Sequence, residues 1–205
     1  MGTVGDVAVL SREEFDAIEF DAAYTGDHQS AAERMSRLAE TGTQTESMPR
    51  AEAFVRAGEQ WLLADNPAAA VSGFQMAMDD GGPVVVDPRV PLCRALFQLG
   101  RPDEAYELIG KLKTEGRTDP RVCDMVMELL VEQSDLAGAL DWATAGVELI
   151  LQGAGQSGQL PIGPPDAKSA PVDSYAGLRD LLRLRYRIRN DLRLPEDEYD
   201  RMLNA

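Results

Sequence analysis

The feature that most constrains the fold of this chain is a helical hairpin written into residues 51–78, AEAFVRAGEQWLLADNPAAAVSGFQMAM, and then repeated. Two amphipathic stretches flank Asp65-Asn66-Pro67, a turn that stops one helix and starts the next. Small residues stand where two helix backbones must approach, with Gly58 and Ala70 expected to face each other, and Phe54, Trp61 and Phe74 fall at helical spacing around them. The alanine at 70 returns as Ala105 and Ala139, at separations of 35 and 34, and upstream as Ala31 at a separation of 39. The polar run TGTQTE at 41–46 takes up the extra residues. A unit this short cannot bury its apolar face alone, so recurrence at a steady period predicts hairpins stacked on one another.

Six positions carry a resemblance. Phe54, Gly58 and Trp61 on the first helix, with Ala70, Phe74 and Ala77 on the second, match in type and spacing the tetratricopeptide repeat, a helix-turn-helix unit of about 34 residues. Pro83 closes the unit about one place late. Later units depart from the pattern: Cys93 and Met127 stand where Gly58 stands, and Gly146 where Ala77 stands. The resemblance implies an all-α fold, a right-handed superhelical solenoid of antiparallel helix pairs, here four hairpins and a C-terminal helical pair. It further implies a protein-protein interaction scaffold or adaptor that holds a ligand on the concave face of its first helices.

Residue by residue, Ser11 with Glu14 three places on predicts a capping box opening a helix over 11–24, with Phe15, Ile18 and Ala22 on its core face. A second helix is expected over 29–40. The central hairpin closes at Asp79-Asp80-Gly81-Gly82-Pro83, and Val84, Val85 and Val86 read as an extended connector, since so short a strand has no partner elsewhere. The third hairpin places helices over 88–99 and 102–114 around Gly100-Arg101. The fourth runs from Asp119-Pro120 through Ser134-Asp135 to about residue 151.

Residues 153–172, GAGQSGQLPIGPPDAKSAPV, hold four glycines and four prolines. They read as a mobile linker between a repeat domain at 1–152 and a C-terminal segment at 173–205. There the charge changes sign: residues 177–193 carry six arginines against Asp180 and Asp191, whereas the preceding 176 residues hold 13 basic and 29 acidic side chains. Leu178, Leu181, Leu182 and Ile188 give this helix an apolar face, and Pro195 followed by Glu196, Asp197 and Glu198 starts a short terminal helix. Two dockings stay open. The Arg-rich helix caps the fourth hairpin, its arginines bridging to neighbouring carboxylates, or it lies in the concave groove.

A net charge of −15 over 205 residues argues against non-specific nucleic-acid binding and against an acidic partner. The sequence has no apolar run long enough for a membrane span, and MGTVGDVAVLSREEF lacks the basic start and apolar core of a signal peptide, so a cytoplasmic protein is expected. Cys93 and Cys123 read as buried packing residues, and His28 as a solvated turn residue with no companion metal ligands. With no phosphate-cradling loop, nucleophile elbow or histidine placed beside a nucleophile, no enzyme, cofactor or metal is expected.

In the register the resemblance implies, the exposed inner face of the first helices carries Glu13, Asp16, Phe20, Glu52, Val55, Glu59, Leu62, Asp87, Arg94, Phe97, Asp124, Glu128 and Glu132. This face is acidic with apolar patches. It lacks the Lys and Asn residues with which family members hold the C-terminal carboxylates of heat-shock chaperones. The expected partner is a basic or amphipathic peptide or protein segment. Self-assembly into a homo-oligomer, with repeats stacking between copies, is the alternative.

Overall fold

The computed structural model describes residues 9–115, 119–157 and 172–203. Among these the chain is all-helical: α1 (Arg12–Thr25), α2 (His28–Thr41), α3 (Arg50–Leu63), α4 (Pro67–Asp80), α5 (Arg89–Gln98), α6 (Pro102–Thr114), α7 (Pro120–Glu132), α8 (Leu136–Ser157), α9 (Val172–Asp191) and α10 (Glu198–Met202). The sole β pairing among the described residues is an isolated bridge between Val9 and Thr43. Sequential neighbours pack together, α1 on α2, α2 on α3, α3 on α4 and α4 on α5, then α7 on α8, α8 on α9 and α9 on α10. The chain divides into two compact units, Met1–Lys111 and Leu112–Ala205.

The recurrence seen in the sequence is a recurrence of backbone geometry. Asp65, Gly100 and Ser134 each adopt a left-handed conformation, with φ of 55°, 68° and 62°. Their N–H groups donate to Leu62, Phe97 and Val131, and the next residue in each turn donates to Trp61, Leu96 and Leu130 at 2.9 Å. Carbonyls left open at the end of one helix are thereby satisfied while the chain reverses. Five residues beyond each turn stand Ala70, Ala105 and Ala139, all fully buried. The first turn is looser: Gly26, at φ 78°, donates only to Ala22, and Asp27 caps α2 through the Ser30 N–H.

Gly58 is a close-approach site, although its neighbours are not the one expected. A Cβ there would lie 2.6 Å from the Phe74 ring, and the Gly73 backbone passes beside it. Ala70 lies one turn nearer the loop than the point where the two helices meet. Cys93 and Cys123 are buried and in no disulfide. Burial, with a contribution from Asp87 against Arg89, pushes the Cys93 thiol up to about 12, which makes it a packing residue rather than a nucleophile.

Local expectations were altered in three places. Ser11 caps the Glu14 N–H, but the Glu14 carboxylate does not return to close a box; it pairs with Arg34 of α2 at 2.7 Å. His28 is half-buried, not solvated, and its Nδ1 lies 2.9 Å from Oε1 of Gln60 on α3. Helix α8 continues through Gly153 to Ser157, because no proline interrupts it before Pro161. The remaining linker residues, 158–171, lie outside the described residues.

In the unit Leu112–Ala205, α9 lies against α8 and buries Leu178, Leu181, Leu182 and Ile188. Gly146 permits the approach, since a Cβ there would sit 2.8 Å from Leu181 and 3.1 Å from Cβ of Cys123. Arg185 and Arg189 bridge to neighbouring carboxylates, those of the loop and terminal helix that follow α9. The almost fully buried Arg185 donates to Thr144 at 3.0 Å and to Asp197 and Asp200 at 2.5 and 3.2 Å. Arg189 donates to Asp200 at 2.9 Å and to the Pro195 carbonyl. Asp197 also caps α10 through the N–H groups of Tyr199 and Asp200, so the carboxylates that open the terminal helix are the ones the arginines neutralise. Hydrogen bonding from Arg185, with the Asp200 N–H and Arg189 assisting against burial, lowers Asp197 to about 2.

Candidate functional site

The first helices of the two leading hairpins meet across an ionic clamp. On α1 the core residues Phe15, Ile18 and Ala22 fix one face inward, which turns Asp16 and Glu19 toward α3. Arg56 of α3 answers them. Its guanidinium donates to both oxygens of Glu19, at 2.8 and 2.6 Å, and to Asp16 at 2.6 Å, and it stands 5.6 Å over the Phe15 ring. Burial opposes the Arg56 charge, but its hydrogen bonds to Glu19 and Asp16 outweigh it and raise the pKa.

On either side of Arg56 along α3 stand Glu52 and Glu59. Glu52 is buried and accepts the Val85 N–H at 2.8 Å, so the connector after α4 passes over the opening of α3. Glu59 is largely shielded and makes no hydrogen bond among the described residues. Burial first, then the charges of Glu19 and Glu52, push its carboxyl up to about 7, with Arg56 opposing. The site therefore gathers four carboxylates around one guanidinium that two of them already hold.

The expected inner face is only partly open. In the unit Met1–Lys111, Glu13, Asp16 and Phe20 are exposed, and Glu59, Leu62, Arg94 and Phe97 are half-buried. Glu52 and Val55 are buried, contrary to the exposure expected, with Val55 only 2% accessible. Asp87 lies in the connector before α5, where it pairs with Arg89 at 2.7 Å and accepts its N–H. Phe97 packs edge-on against Tyr106 of α6 with ring centroids 5.4 Å apart. In the unit Leu112–Ala205, Glu128 and Glu132 are exposed and Asp124 is half-buried, its pKa raised by burial and by Glu128 and Asp180.

Sequence reasoning passed over Glu19 and Arg56, whose pairing spans 37 residues. A basic residue between Glu52 and Glu59 at helical spacing was the available signal. A separate cavity of about 400 Å³ opens between α1 and α2, lined by Ala17, Ile18, Asp21, Ser30 and Ala31 together with the Glu14–Arg34 pair. Among the described residues no cluster of three or more His, Cys, Asp or Glu side chains is placed to hold a metal ion, and no helix is long and apolar enough to cross a membrane. No family model, curated protein or solved structure matches the chain.

Proposed function

We propose that this chain is a protein-protein interaction scaffold, a tetratricopeptide-like right-handed superhelical array that holds a basic or amphipathic segment of a partner along its first helices. The observation that carries this reading is Glu59, a shielded carboxyl beside Glu19 and Glu52 whose neighbouring cation, Arg56, is already taken up by Glu19 and Asp16. A Lys or Arg side chain entering beside Glu59 supplies the missing charge, and the half-buried Leu62 one turn away offers it an apolar neighbour. The reading requires neither a catalytic group nor a cofactor, and it places the protein in the cytoplasm.

Calorimetry with an amphipathic Leu/Lys helical peptide of about 18 residues, against its Leu/Glu counterpart, tests it. The Leu/Lys peptide is expected to bind, to bind more tightly as pH rises through 7 and Glu59 ionises, and to lose at least about tenfold in affinity to Glu59→Lys. Preferential binding of the acidic peptide, or an affinity indifferent to Glu59→Lys, refutes the assignment.

A further inference from the structure

Two exposed ridges of opposite charge lie on α1 and α9. On α1, Glu13, Phe20 and Tyr24 occupy the side opposite the buried Phe15, Ile18 and Ala22, flanked by Asp16 and Asp21. Phe20 is 76% and Tyr24 86% exposed. Two aromatic rings one turn apart on a solvated helix face contribute nothing to the fold of their own hairpin, which marks them as contact surface. On α9, Arg179, Arg183 and Arg187 succeed one another at one-turn spacing on the side opposite Leu178, Leu181 and Leu182. All three arginines are exposed, and Arg183 lies 3.3 Å from Asp180 of its own helix. This is a basic ridge on a chain whose net charge is −15.

We propose that these ridges bind each other between copies: the α9 arginines of one copy dock on the α1 ridge of a second. Charge selects this pairing, since α1 against α1 sets carboxylates on carboxylates and α9 against α9 sets arginines on arginines. The lengths suit it: Glu13 to Tyr24 spans about 16 Å of α1 and Arg179 to Arg187 about 12 Å of α9, so the three arginines can lie along the α1 ridge. Arginine over an aromatic ring is a contact already made among the described residues, by Arg56 over Phe15 at 5.6 Å and by Arg185 over Tyr199 at 4.8 Å. The two surfaces differ, so the contact is head-to-tail. Each added copy leaves one ridge of each kind open until a ring closes. The inference goes beyond peptide binding and needs no partner protein.

Sedimentation velocity on the full chain at about 0.15 M salt, where the repulsion between two acidic bodies is screened but touching pairs are not, tests it. Wild type is expected to gain mass steadily with concentration. Arg183→Glu with Arg187→Glu, and separately Glu13→Arg with Asp21→Arg, are each expected to weaken self-association at least about tenfold. Mixing the two double variants restores it, because every mixed contact is again between opposite charges, and a misfolded variant could not be rescued in this way. A wild type that stays at monomer mass overturns the proposal, as does a double variant that self-associates like wild type or a mixture that fails to associate.

Discussion

Replacing Glu59 by Gln is expected to stabilise the unit Met1–Lys111 above neutral pH and to leave it almost unchanged in acid. In the folded protein Glu59 titrates at about 7, against an ordinary 4.5. Below 4.5 it is protonated in both states and costs nothing. Between 4.5 and 7 the unfolded chain releases the proton while the folded chain keeps it, and stability falls by about 1.36 kcal/mol per pH unit. Above 7 the loss is complete, at about 3 kcal/mol, which residual solvent access trims to about 2–3 kcal/mol. Gln keeps the shape and has no charge to bury. Urea unfolding followed by Trp61 fluorescence, in a Trp142→Phe background so that the signal comes from Met1–Lys111, reads the difference. The midpoint should rise by about 1–2 M at pH 8 and by a small fraction of that near pH 4.5. If the variant is no more stable than wild type at pH 8, or gains equally at both pH values, Glu59 is not the buried charge inferred here.

Two further outcomes are expected. Gly58→Leu forces a side chain into the Phe74 ring across a 2.6 Å gap and should cost about 1–3 kcal/mol or more, seen as a lowered melting temperature; an unchanged melt would mean that α3 and α4 do not meet at this point. Arg185→Met removes one of the two cations on the buried Asp200 and should cost about 2–3 kcal/mol, less than a wholly orphaned charge because Arg189 remains. Wild type holds Asp197 at about 2, so the stability this carboxylate confers is present above pH 3.8 and lost as pH falls toward 2; in the variant its titration, followed by NMR, should move back toward 3.8, and a titration left in place would exclude Arg185 as the cause.

By itself the sequence determined what depends on neighbours a few residues apart. The alanines at 70, 105 and 139 recur because each follows a left-handed turn by five residues, and turn chemistry and helical period are local properties. Likewise the leucines of α9 spell out an amphipathic helix, and four of its apolar residues are buried. Only the tertiary structure decided which charged residues serve the fold and which remain on the surface. Arg56 meets Glu19 across 37 residues and Asp16 across 40, and Glu52 spends its carboxylate on Val85 across 33, pairings that no periodicity contains. Burial of a carboxylate depends on what passes over it, so Glu13 and Glu52, both acidic positions in first helices, ended one exposed and one enclosed. The arginines of α9 illustrate the same limit. Their number and spacing are legible, but Arg185 and Arg189 turned to Asp197 and Asp200 because a short loop brings those carboxylates to them, while Arg179, Arg183 and Arg187, on the other side of the same helix, remain exposed.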